Sequence, residues 1–349
     1  MRDYLRLLKH FFKIRMTEDK KTYNGLDLLK FIMALMVVMI HVKPNTHSLI
    51  LTNIFAPIEK IAVPIFFLIS STLLFNKIER KKEESTRIIK KWVSRLVLLY
   101  FVWFLINLKF IIYRKEYFSS DIAYGIFDLL KDLIFCYTYP GSWFLSALIV
   151  GVILIYCLTK YISRYIILFF SIFISIYIEA IDYIPNVLHA PYRWYAENIR
   201  PEVILSFPAH LVWISLGQIF SSQLDKIENN KKILFPLSIL FSIACYLFVI
   251  WNNNLFINYL IVPSCFITFV LLKLSQKPIY KKMRDMSILI FFSHFLIFGT
   301  KGMFCKILND TLLTNYIFYI LVLASCVIFS LVILYLENKK GFHFLKYTH

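Results

Sequence analysis

Cysteine is scarce in this chain and badly placed for cross-linking: Cys136, Cys157, Cys245, Cys265, Cys305 and Cys326 are scattered, mostly within apolar stretches, with no close pair. Neither a disulfide framework nor a zinc site is expected, and no other metal site suggests itself. Charged residues are only 17% of 349 positions, too few for a soluble globular domain alongside 59% hydrophobic residues. No internal repeat is visible. The first fifteen residues have neither a long apolar core nor a small-residue cleavage site, so a cleaved signal peptide is not expected. Acidic residues are also few, 21 against 39 Lys and Arg, for a formal net charge of +18.

What is present in excess is apolar and aromatic: 34 Phe, 22 Tyr and a mean hydropathy of +0.67. Stretches of membrane-crossing length recur near residues 26–46, 60–76, 92–112, 142–158, 163–181, 202–221, 232–252, 255–273, 286–305 and 314–336. The expectation is an all-α, polytopic membrane helical bundle with about ten transmembrane helices.

The excess of positive charge is sorted by loop, which argues against a nucleic-acid partner. With a cytoplasmic N-terminus, alternate loops hold Lys77, Arg80, Lys81, Lys82, Arg87, Lys90 and Lys91, then Lys160 and Arg164, then Lys226, Lys231 and Lys232, then a cluster from Lys273 to Arg284. The intervening loops are poor in Lys and Arg. This is the positive-inside bias, and it places both termini in the cytoplasm of a multi-pass cell-membrane protein. Residues 1–24 form a basic segment whose start, MRDYLRLLKHFFKIR, has an interfacial amphipathic pattern. Residues 25–336 form the transmembrane domain and 337–349 a short cytoplasmic tail. Two external segments are long enough to shape a mouth. In the first, Asp121–Phe135 reads as a surface helix, and the second, Ile181–Glu202, carries His189, Arg193 and Trp194 among prolines.

Within the first span, Lys30 and His41 are the informative pair. The eleven-residue step leaves them about 20° apart around a helix and roughly 16 Å apart along it. Ionisable groups inside a span are costly and point to function. Asp27, three residues before Lys30, lies on the same face and can pair with it.

A cation followed after ten residues by His resembles acyltransferase family 3, integral membrane enzymes that O-acylate cell-surface glycans. Further segments follow in that family's order: VPIFFLISSTLLF at 63–75, KKWVSRLVLLYFVW at 90–103, GSWFLSALI at 141–149 and SILIFFSHFLIF at 287–298. Departures are Lys30 where many members have Arg, Ser71 where Gly is usual, and Arg95 alone where some members carry two arginines. A lysine makes a point contact where a guanidinium grips bidentately.

The resemblance implies an enzyme transferring groups other than amino-acyl groups. The donor is acyl-CoA, with acetyl-CoA the first expectation, and the acceptor is a hydroxyl of a capsule, exopolysaccharide or other envelope glycan. The chemistry of the residues fits. CoA phosphates suit Lys90, Lys91, Arg95 and Lys30 at the inner face. The thin arm then runs beside the first helix to His41, which serves as general base, or is itself transiently acylated. Ser70 is expected as a hydroxyl near the tunnel and Trp143 as its lining, on the resemblance. Glu179, Arg193, His210 and His294 are the remaining polar groups placed to meet the acceptor. Membrane lipid is the surrounding partner, and the sequence does not fix an oligomeric state. The competing function is a transporter or flippase for a small acyl, amino-acid or lipid-linked sugar substrate. A glycan polymerase would need a larger, arginine-rich external loop. The Lys-, Ile-, Phe- and Asn-rich composition points to a bacterial source.

Overall fold

The computed structural model describes residues 22–42, 49–115, 122–135, 137–252, 255–298 and 312–349. Most of the 1–24 segment, Asp121, Cys136 and Cys305 therefore lie outside the described residues. No strand occurs among the described residues. The helices are α1 (Asn24–Val42), α2 (Leu49–Arg80), α3 (Ser85–Ile106), α4 (Leu108–Lys115), α5 (Ile122–Phe135), α6 (Ser142–Leu158), α7 (Arg164–Glu179), α8 (Ala190–Asn198), α9 (Phe207–Asn229), α10 (Lys231–Asn252), α11 (Asn258–Leu271), α12 (Pro278–Phe298) and α13 (Leu312–Leu336).

Each of the ten apolar segments overlaps a helix, the one at 92–112 being divided at Asn107 between α3 and α4. Five stretches are both long and apolar enough to cross a bilayer: Asn24–Val42, Pro57–Arg80, Val203–Asn229, Lys231–Trp251 and Tyr316–Leu336. Ser142–Leu158 and Asn258–Leu271 are apolar but shorter. Helix α2 begins well before the segment expected at 60–76 and carries Pro57 and Pro64 within it. Proline is tolerated in such helices where neighbours satisfy the freed carbonyls.

The centre of the bundle is built by α1, α2, α9 and α12. Helix α2 packs on α9, α1 on α12, and α9 also on α6 and α7. A hydrocarbon surround gives packed helices little hydrophobic reason to associate, so close approach through small residues matters. The α2–α9 contact shows this: Ser71 is fully buried against Gly217, where any Cβ would overlap its hydroxyl oxygen. Ser71 Oγ donates back to the Phe67 carbonyl at 2.7 Å, leaving no unsatisfied donor in the contact. The small residue absent from α2 at this level is thus supplied by α9. Gly217→Val is expected to cost about 1–3 kcal/mol through overpacking, read as a lowered Tm of the detergent-purified protein. A wild-type Tm would contradict the close contact.

The surface helix expected from Asp121 to Phe135 is present from Ile122 as α5, and its exposed face is largely apolar. Ile122, Tyr124, Phe127 and Leu130 are exposed, whereas Gly125 and Asp132 are buried. Lys131 pairs with Asp128 at 2.8 Å along the helix.

Candidate active site

The site begins at the basic end of α3. A cavity of about 730 Å³ lies among α1, α2, α3 and α12. Its walls carry Lys30, Lys77, Lys81, Arg87, Lys91, Arg95 and Arg284 against a single carboxylate, Glu84. Seven cations converging on one volume repel one another unless a polyanion or counter-ions share it. Lys91 and Arg95 stand one helical turn apart on the same wall. Lys90, the third cation expected there, is exposed and does not line the cavity, because the 100° step to the neighbouring residue turns it to the other face.

Asp27 finds a partner that the sequence spacing did not show. Its Oδ2 lies 3.9 Å from Nη1 of Arg284 on α12, which also holds Asp285 through Nε at 3.3 Å. The acid therefore ties α1 to α12 beside Lys30, instead of serving Lys30 alone.

Beyond Lys30 and Ser70 the cavity narrows. A slot of about 80 Å³ shares Lys30, Ser70, Leu96, Leu99, Leu148 and Ile288 with the large cavity. It continues between Phe66, Phe144, Leu145, Phe291 and Phe292. The rings of Phe66, Phe144 and Phe291 touch pairwise at centroid separations of 5.2–6.1 Å, forming an aromatic constriction.

Phe291 joins this constriction to a histidine pair. His41, one residue before the end of α1, stacks on His294 of α12 with centroids 5.2 Å apart and planes 26° apart. Phe295 flanks both rings, and Phe291 meets His294 edge-on at 6.3 Å. His41 is exposed, whereas His294 is fully buried, its Nδ1 3.3 Å from the Ile290 carbonyl. That contact defines the tautomer in which Nδ1 carries the hydrogen and Nε2 is the acceptor. The carbonyl end of α1 beside His41 is suited to the positive charge that develops when the ring accepts a proton.

Gly141 brings α6 to the same place. Its φ of 86° is the left-handed conformation, and a Cβ would press to 3.0 Å from the Phe295 ring. The helix that starts at Ser142 carries Trp143, which stacks on His210 of α9 at 5.4 Å. Phe67 stacks on His210 at 4.6 Å and lies 6.5 Å from Trp143, so the three rings form one cluster with Phe67 and Trp143 on adjacent sides of the imidazole. Trp143 and His210 thus form a second tier beside the histidine pair, linked to it by the Phe67–Phe144–Phe291 contacts.

Two expected acceptor groups lie apart from this constellation. Glu179, at the end of α7, faces Tyr259 of α11, whose ring stacks on Trp213 at 5.1 Å. Arg193 is exposed on α8, its Nη2 donating to the Asn186 carbonyl at 3.3 Å. The arginine that does enter the bundle is Arg200, 1% exposed, 3.6 Å from Glu202 and lying over the Tyr137 ring at 4.7 Å. Among the described residues no cluster of three or more His, Cys, Asp or Glu is arranged to hold a metal.

The fold and site define an all-helical membrane protein in which a cationic cavity adjoins an aromatic slot, with paired histidines against the Phe291 ring of that slot. The family described as an acyltransferase domain matches residues 23–335. The chain belongs to that family, acyltransferase family 3, and is a transferase by membership. Two curated relatives are both proteins of Enterococcus faecalis named amino-acid racemase. One is 33% identical over 150 residues, covering 42% of this chain and 20% of its own length. The other is 24% identical over 347 residues, covering 92% of this chain and 47% of its own length. The chain thus spans less than half the length of either relative. No solved structure matches it.

Proposed function

We propose that this protein moves an acyl group, acetyl in the first instance, from cytoplasmic acyl-CoA to a hydroxyl of a cell-surface polysaccharide or other envelope glycan. The observation that supports this most is a seven-cation cavity that shares its wall with an apolar slot, whose Phe291 in turn contacts the histidine pair. CoA has a matching succession: phosphates, a thin arm, then a thioester. Lys91, Arg95 and Lys30 meet the phosphates, Ser70 lies where the arm enters the slot, and Phe66, Phe144 and Phe291 exclude water around it. Asp27 holds Arg284 at the same mouth.

At the far end His41 takes the proton of the acceptor hydroxyl. The oxygen attacks the thioester carbonyl, the C–S bond breaks, and the CoA thiolate leaves and is protonated in turn. His294 lies against His41 and fixes its ring. Trp143, half-buried, offers a stacking surface for a sugar ring, with the buried His210 behind it and Glu179 and Arg193 further out.

Purified full-length protein in detergent, supplied with acetyl-CoA, is expected to release CoA thiol steadily only when an acceptor glycan is added. No release with any envelope glycan would count against transfer. The racemase name of the relatives favours a second reading, in which this membrane unit carries an amino acid across the bilayer without bond chemistry. Accumulation of labelled amino acid in proteoliposomes, with no CoA release, would establish that reading instead.

The mechanism requires the cationic cavity to face the cytoplasm. In a cysteine-free background, Lys81→Cys is expected to be shielded from an impermeant maleimide in intact cells and Trp251→Cys to be labelled. Both positions are exposed in the fold, so the readout reports sidedness. The reverse pattern would remove the cytoplasmic donor from the account.

A further inference from the structure

The segment after α13 does not trail away from the bundle. Residues His343–Thr348 form a 3-10 helix that folds back against α3 and α13. The Trp103 indole, fully buried, donates from Nε1 to the Thr348 carbonyl at 3.0 Å. Thr348 Oγ1 donates to the Leu345 carbonyl at 2.6 Å, closing the turn. The turn delivers His349, with a side chain only 7% exposed, to the wall of the cavity that holds Arg87, Lys91, Arg95 and Arg284. Its Nε2 lies 3.0 Å from Glu337 Oε2.

We infer that His349 is a donor-contacting residue that meets the phosphates of the bound acyl-CoA, with Trp103 the positioning residue that pins the tail in place. The inference rests on the acyl-CoA reading above. A histidine suits this wall because it need not add an eighth cation to a strongly positive cavity. Burial holds its imidazole below the ordinary range. Glu337, just past the end of α13, and Asp285 on α12 pull the other way, while Arg95 on α3 and Lys281 on α12 oppose protonation. Arg87, Lys91 and Arg284 share the cavity. Arrival of a polyanion favours imidazolium, so binding takes up a proton. The contribution is complete at pH below the free-state value and is lost as pH rises through the bound-state value.

The test is calorimetric binding of CoA itself to the purified full chain from about pH 5.5 to 8, the range in which histidine titrates. His349→Gln is expected to weaken CoA about 10-fold at the acid end, the low end for a lost charge-assisted hydrogen bond. It should also flatten the pH dependence relative to wild type, while Lys91→Ala weakens binding and keeps that dependence. Trp103→Phe keeps the ring against Phe292, 5.3 Å away, but removes the N–H. It is expected to shift CoA affinity the same way, by about 3-fold, and to raise KM for acetyl-CoA with kcat unchanged. If His349→Gln and Trp103→Phe bind CoA with wild-type affinity and pH slope while Lys91→Ala weakens it, the role of the tail is refuted and the donor site stands. If the wild-type protein binds no CoA, the donor reading falls, and the role given to His349 falls with it.

Discussion

Replacing His41 by Gln is expected to lower the rate of glycan acylation by about 10²- to 10⁴-fold, the usual contribution of a general base, while membrane abundance stays at the wild-type level. Glutamine can keep a hydrogen bond at this position but cannot accept a proton at neutral pH. The buried face of α1, from Leu26 through Met33, Val37 and Val38, is untouched by the change, so the helix should still insert and pack. His41 is the exposed member of the histidine pair and stands at the mouth of the site, whereas His294 is enclosed with its Nδ1 against its own helix. In the proposed mechanism, proton abstraction from an incoming hydroxyl therefore falls to His41, with the enclosed His294 ring stacked behind it. Acylation at near wild-type rate by His41→Gln, measured as acyl groups per polysaccharide repeat at matched protein level, would make the histidine structural. Donor affinity unchanged in the inactive variant would confine the loss to the transfer step.

The second large effect is expected on donor affinity. Lys91→Ala and Arg95→Ala should each raise KM for acetyl-CoA by roughly 10-fold, and by about 100-fold together if the two act independently, with kcat little changed. The lower end of the range for charged hydrogen bonds applies because both side chains are exposed at the cavity mouth and solvent screens them. Lys90→Ala is the internal control: the same charge is removed one residue away, from a side chain outside the cavity. An equal rise in KM from Lys90→Ala would reduce the effect to bulk surface potential. A clear difference, measured at constant ionic strength, would assign it to contact.

Much of this arrangement is readable in the linear sequence, for reasons that are local. Membrane length and hydropathy mark α1, α9, α10 and α13, because a segment that spans a bilayer must carry its apolar character along its whole length. The eleven-residue interval from Lys30 to His41 predicts two groups on one face at two depths, and α1 places one in the basic cavity and the other beside His294. Contacts between residues far apart in sequence leave no such trace. Arg284 reaches Asp27 from more than 250 positions away, and nothing in the spacing of α12 announces it. The same holds for His210, whose contacts with Phe67 and Trp143 depend on how three helices cross. Ser71 looked like a departure because its glycine counterpart, Gly217, is on another helix. The tail after Glu337 has the composition of a solvated end, yet its docking depends on one indole in α3 accepting it.

The central claim is that an acyl group crosses from a cytoplasmic donor to an external acceptor through the bundle. The most direct measurement uses inverted membrane vesicles from cells producing the protein, with acetyl-labelled acetyl-CoA added outside, where the cytoplasmic face is exposed. The account predicts label bound covalently to polysaccharide in the lumen, and none when His41→Gln replaces the wild type at equal abundance. Label found in the lumen only as a free small solute, or incorporated equally by His41→Gln, would contradict it.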